Sequence, residues 1–212
     1  MILDTIMVSR RFVLRVIPVL LALLGAPACD DSSPISPSDL TVVAFGDSIT
    51  AGVGTTGDND YVERLSDRTG VSIINQGRSG DTTGSALSRL DGAVLSRNPD
   101  IVIVFLGGND LLQSVPVQNR IANITAIVER IRAGGAAVIL VGVGNGVLDP
   151  FNGALPAIAA QTGSTLVPAV LEGILGVSSL MADLIHPNNA GHAIIADRIE
   201  PALRATLSAA GS

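Results

Sequence analysis

Aromatic side chains are nearly missing from this chain: they are 2% of 212 residues, with one tyrosine, four phenylalanines and no tryptophan. A core must therefore be packed from Ala, Val, Leu and Ile, and the lack of tryptophan speaks against a platform that stacks on sugar rings. Cysteine occurs once, at Cys29, which excludes an internal disulfide. Histidine occurs twice, so only His186 and His192 compete for the role of an imidazole base. Positive charge is also scarce. The formal charge is −6, and residues 1–28 hold three arginines and one aspartate, so the remainder stands near −8. An acidic body with no cluster of Lys or Arg argues against nucleic-acid partners and against electrostatic binding to anionic membranes.

The apolar run from Val16 to Ala28 is thirteen residues, too short to span a bilayer comfortably as a helix. It follows Arg10, Arg11 and Arg15 and closes on Ala26-Pro27-Ala28-Cys29, the charged, apolar and small-residue order of an export signal. The expectation is a signal peptide over 1–28, a turn-rich linker over 29–39 and a single domain over 40–212, long enough for a full core. Cys29 resembles the lipid-modified cysteine of bacterial lipoproteins, although Ala26 stands where leucine is usual; plain cleavage after Ala28 is the alternative. The segment 9–15 also resembles a twin-arginine export signal. The expected location is the bacterial envelope, periplasmic or lipid-anchored through Cys29, or outside the cell.

Beyond the linker, apolar runs predict strands at 40–45, 71–75, 101–106, 136–141 and 165–167. Helical periodicity falls between them at 60–68, 83–96, 117–133 and 151–162, with a last helix over 189–207. The two central runs, Ile101-Val102-Ile103-Val104-Phe105-Leu106 and Ala137-Val138-Ile139-Leu140-Val141, are apolar at consecutive positions. Both faces of such strands must be covered, which predicts an α/β fold with a parallel sheet between helix layers. Sites in these folds form at the carboxyl ends of the strands. The polar residues that gather there are Ser48 after the first run, Gly77 after the second and Asn109 after the third.

Ser48 stands in Gly46-Asp47-Ser48-Ile49-Thr50, directly after an apolar strand. Its hydroxyl needs a base to become a nucleophile; a helix cap is the bland alternative. His186 lies in Asp183-Leu184-Ile185-His186-Pro187-Asn188, three residues after an aspartate that one tight turn can bring onto its ring. His192, at the start of the last helix, reads as a surface or capping residue. Asn109 follows Gly107-Gly108 and can either form a turn or turn its amide toward a developing oxyanion. Asp47 and Asp110 read as turn organisers rather than metal ligands, since no His or Cys accompanies them.

Four blocks carry a resemblance to the SGNH, or GDSL-type, serine hydrolases: Gly46–Thr50, Gly77 within 75–82, Gly107-Gly108-Asn109-Asp110, and Asp183–Asn188. The likeness runs from about 40 to 207 and is nearest to the arylesterase, acyl-CoA thioesterase and lysophospholipase branch. It implies a three-layer α/β/α flavodoxin-like fold with a five-stranded parallel sheet. It further implies nucleophile Ser48, base His186, orienting Asp183, and an oxyanion hole from the N–H groups of Ser48 and Gly77 with the Asn109 side chain. The implied substrate is a short- to medium-chain acyl ester or thioester, with no cofactor and a monomeric or weakly oligomeric chain. Two departures stand out. The segment 143–151 is short and glycine-rich where this branch carries a longer one with proline and tyrosine, and Leu184 replaces a glycine in the Asp-x-x-His block. A carbohydrate acetylesterase is the same-fold rival; a non-catalytic, ligand-binding envelope lipoprotein is the rival of a different class.

Overall fold

The computed structural model describes residues 36–144 and 149–211. The expected signal peptide, Cys29 and most of the linker lie outside the described residues, as do 145–148 of the glycine-rich segment.

Five strands, β1 (Val42–Gly46), β2 (Ile73–Gly77), β3 (Ile101–Phe105), β4 (Ala137–Val141) and β5 (Thr165–Val167), form one sheet in the order β2-β1-β3-β4-β5. Every neighbouring pair is parallel. This is the doubly wound flavodoxin-like order, whose switch point lies between β1 and β3. The helices are α1 (Tyr61–Thr69), α2 (Thr83–Ala93), α3 (Gly108–Leu112), α4 (Val117–Ala133), α5 (Pro150–Thr162) and α6 (Asn189–Ala210).

Side-chain alternation along the strands sorts the core into two layers. Val42, Ala44, Ile101, Ile103, Phe105, Ile139 and Val141 pack with Leu65 of α1 and Ile195, Ile199 and Leu203 of α6. Val43, Phe45, Val102, Val104, Val138 and Leu140 pack on the other side with Leu90, Ile127, Ile131 and Leu155 of α2, α4 and α5. No charged residue interrupts β1, β3 or β4, because neither of their faces meets water.

The strand and helix positions follow the expectation with small shifts. β2 starts two residues later than predicted and ends at Gly77, because its partner is Gly46 at the end of β1. α2 stops at Ala93, and a separate 3-10 turn covers Leu95–Arg97. The short helix α3 is new; five residues entered through Gly107-Gly108 carry no periodic signal.

Candidate active site

The chain leaves β1 into a tight turn rather than a helix. Asp47 organises it: its carboxylate accepts the Ile49 N–H at 3.0 Å and its carbonyl accepts Ala51 N–H at 3.0 Å. The cap of α1 is Asp60, so Ser48 caps no helix. It sits at the sheet's carboxyl edge with its hydroxyl facing the loop between β5 and α6.

That loop is built around Asp183. One carboxylate oxygen accepts the N–H groups of Ile185 at 2.9 Å and His186 at 2.8 Å, which forces the chain to turn. The Ala182 N–H closes the turn on the His186 carbonyl at 2.9 Å. The other carboxylate oxygen lies 2.7 Å from His186 Nδ1, and His186 Nε2 lies 3.1 Å from Ser48 Oγ. The hydrogen bond to His186, with the two backbone N–H groups, holds the Asp183 carboxyl down at about 2. An ionised carboxylate only accepts, so Nδ1 carries the ring proton and Nε2 presents a lone pair to the serine hydroxyl. Leu184 adopts no left-handed backbone conformation, so the turn does not need the glycine it replaces.

Asn109 is the second residue of α3. Its amide donates to the Asp81 carbonyl at 3.0 Å, and it lines one cavity together with Ser48 and His186. The next residue, Asp110, is fully buried and accepts from the Thr83 N–H at 2.8 Å and the Thr83 hydroxyl at 2.6 Å, tying α3 to the start of α2. Asp81 in turn pairs with Arg89 at 2.5 Å, and the same guanidinium donates to the carbonyls of Gly46 and Gln76 at the ends of β1 and β2. This clamp was not read from the sequence. Asp81 and Arg89 are eight residues apart, about two helical turns, and that spacing was the available signal.

Gly77 is the one expected site residue whose surroundings point elsewhere. Its N–H already donates to the Asn75 side chain at 2.9 Å. A Cβ at this position would stand 2.1 Å from the Ala51 backbone nitrogen and 2.5 Å from the Thr50 carbonyl carbon, so glycine is required here for packing. Gly80, three residues on, has φ of +83° in a turn closed by the Asp81 N–H on the Arg78 carbonyl. Its N–H has no partner among the described residues. The turn is strapped to the site at both ends: Arg78 N–H donates to the Gly46 carbonyl at 3.0 Å, and Asn109 holds Asp81.

His192 is neither on the surface nor a cap. It is completely buried, its Nδ1 accepts the Tyr61 N–H at 3.1 Å, and burial pushes its pKa down to about 4. The cap of α6 is Asn188, which accepts from Ala190 and Gly191. His186 is thus the only histidine within reach of Ser48.

The cavity beside Ser48 measures about 190 Å³, and its walls are apolar, with Ile49, Phe105, Val143 and Leu171 below and Leu175 and Leu184 nearer the mouth. Asp47 borders it as well; burial pushes its carboxyl up to about 6, against the Ile49 hydrogen bond and the attraction of His186. Among the described residues no group of three or more His, Cys, Asp or Glu side chains could hold a metal ion. No described helix is long and apolar enough to cross a membrane.

The pattern of the GDSL-like lipase/acylhydrolase family matches residues 44–194, which include all four blocks. The chain belongs to that family. As a GDSL-type hydrolase it is 32% identical over 179 residues to the esterase TesA of Pseudomonas aeruginosa, covering 79% of this chain and 89% of that protein. It is 29% identical over 167 residues to the arylesterase of Vibrio mimicus, covering 73% and 84%. The crystal structure of TesA superposes with a TM-score of 0.73 over 78% of this chain and 99% of the other. The psychrotrophic esterase EstA of a Pseudoalteromonas species, at 29% identity, gives a TM-score of 0.72 over 80% and 100%. The GDSL-type hydrolase therefore shares its fold, as well as its sequence blocks, with proteins that carry the name esterase.

Proposed function

We propose that this protein is a serine esterase that cleaves short- to medium-chain acyl esters through an acyl-enzyme, with Ser48 as nucleophile, His186 as base and Asp183 as its orienter. The observation that carries the reading is the continuous line from the Ser48 hydroxyl to His186 at 3.1 Å and on to Asp183 at 2.7 Å, at the wall of an apolar cavity. The esterase names of the family members above support the reaction class.

In this mechanism Ser48 Oγ attacks the acyl carbonyl carbon as its proton passes to His186 Nε2. Asp183 keeps Nδ1 protonated and stabilises the imidazolium that forms. The oxyanion is held by the backbone N–H of Ser48, the Asn109 amide and a second backbone N–H. We assign that second donor to Gly80 rather than Gly77. Two observations support the choice: the Gly77 N–H is taken by Asn75, and the Gly80 N–H has no partner among the described residues. The carbon–oxygen bond to the alcohol breaks as Nε2 returns its proton to the leaving oxygen. Water then attacks the acyl carbon and gives a proton to Nε2; the carbon–Oγ bond breaks, Nε2 returns the proton to Ser48 Oγ, and the carboxylic acid leaves. Each donor in such a hole is worth about 3–4 kcal/mol of transition-state stabilisation.

The test is turnover of nitrophenyl esters of graded chain length by wild-type protein and Ser48→Ala. Loss of turnover in a folded variant is expected; equal rates would refute the mechanism. The order of charged, apolar and small residues over 1–28 supports export of the same chain, with the hydrolase domain over 40–212 joined through the 29–39 linker. Intact mass of the mature protein tests whether residue 29 carries a lipid.

A further inference from the structure

We infer that the mouth of the active-site cavity is a docking surface for uncharged or zwitterionic lipid, an inference that rests on the acyl-ester reading above. The exposed large apolar side chains among the described residues are Leu111, Leu112, Leu175, Val177, Leu184 and Ile185. They come from three stretches far apart in the chain: the end of α3, the turn at 175–177, and the loop that carries Asp183 and His186. Chance would scatter such residues over a surface. Instead five of the six line the cavity that holds Ser48 and His186. Val177 lies between Gly176 and Ser178, which share a second cavity with Leu184 on the same rim.

Folding does not explain this rim. Leu184 is 95% exposed, and the turn it occupies is held by the Asp183 side chain and the Ala182–His186 hydrogen bond, neither of which involves the leucine side chain. Leu111 and Leu112, at 54% and 59% exposed, likewise face outward from a five-residue helix. Keeping so much apolar surface in water is unfavourable in proportion to its area, so contact with an apolar phase is favoured.

The identity of that phase follows from continuity and charge. The rim runs without interruption into the cavity walls at Ile49, Phe105 and Leu171, so whatever covers it also reaches Ser48. A protein seated there would close the cavity, whereas a lipid surface delivers an acyl chain into it. No Lys or Arg lies on the three stretches or in the cavity lining, and the chain contains no lysine. The exposed charges adjoining the rim are Glu172 and Asp183, and Asp47 borders the cavity behind it, on a chain of net −6. An anionic surface would be repelled.

The test is sedimentation with phosphatidylcholine vesicles and with phosphatidylglycerol vesicles. The mature chain, without residues 1–28, carries Cys29→Ser throughout, so that neither the basic, apolar N-terminal segment nor a lipid on residue 29 contributes. Partition onto phosphatidylcholine is expected, with weaker partition onto phosphatidylglycerol. Leu112→Ser combined with Leu184→Ser should lower partition onto phosphatidylcholine at least tenfold with an unchanged far-ultraviolet spectrum. Ser48→Ala should bind like its parent. Equal binding by the double variant, or preference for phosphatidylglycerol, overturns the inference. So does a parent that self-associates where the double variant is monomeric, since the rim would then be covered by a second copy. Vesicle binding by a protein whose ester turnover survives Ser48→Ala would leave the surface standing and refute the catalytic reading alone.

Discussion

Replacing Asn109 by alanine separates two jobs that one amide performs. One N–H of the amide donates to the Asp81 carbonyl at 3.0 Å, in a partly buried position. Losing that bond should lower stability by about 1 kcal/mol, the ordinary net worth of a neutral hydrogen bond. The second N–H is left for the cavity shared with Ser48, where the oxyanion develops. Losing it should remove roughly 3–4 kcal/mol from the transition state, a fall in kcat of about a hundred- to a thousandfold with KM little changed. Urea unfolding reads the first quantity and steady-state turnover of a nitrophenyl ester reads the second. The clamp of Asp81 by Arg89, and that of Asp110 by Thr83, persist in the variant, so the turn at 78–81 keeps its place. A kcat within threefold of wild type, at unchanged stability, would refute the placement of this amide in the oxyanion hole. A loss of stability several times larger with kcat intact would make Asn109 a structural residue only.

Gly77→Ala should unfold the protein or fail to express, because its Cβ would meet backbone atoms at 2.1 and 2.5 Å; Gly80→Ala meets nothing within 4 Å among the described residues and should fold, at a cost of about 1–2 kcal/mol for its positive φ. Comparable melting temperatures for the two variants would count against that distinction. Asp47 carries a raised pKa of about 6, so between pH 4 and 6 the folded chain holds a proton that the unfolded chain has released. Its contribution favours the folded state below about pH 4 and is lost as the pH rises through 6. Asp47→Asn should therefore gain up to about 3 kcal/mol over wild type at pH 8 and almost nothing at pH 4; an equal effect at both values, read by urea unfolding, would contradict this. Arg120 and Asp149 form a buried two-point pair at 2.9 and 2.9 Å. Arg120→Met should cost about 3–5 kcal/mol by stranding the carboxylate, and adding Asp149→Asn should recover at least half of it, as chemical denaturation of the single and double variants would show.

The fold was legible where burial leaves a one-dimensional trace. β3 and β4 have no polar position, so a strand covered on both faces was the only economical reading of each run. Ser48, His186 and Asp183 were legible because few alternatives exist: two histidines, one with an aspartate a single turn away. Sequence alone thus determined the layer order, the strand positions to within about two residues and which hydroxyl, imidazole and carboxylate could meet. Tertiary structure decided the rest. Whether a glycine N–H is free depends on what its neighbours' side chains do: Asn75 folds back onto Gly77, while among the described residues none bonds to the Gly80 N–H. His192 is a neutral core residue because the fold buries it completely, with its Nδ1 accepting the N–H of Tyr61, far away in the chain. Five exposed apolar side chains share one cavity because the end of α3 and two loops converge on it. Hydrophobic periodicity reports how each segment meets the core; it holds no information on how separate loops meet one another, and that meeting is what makes the site.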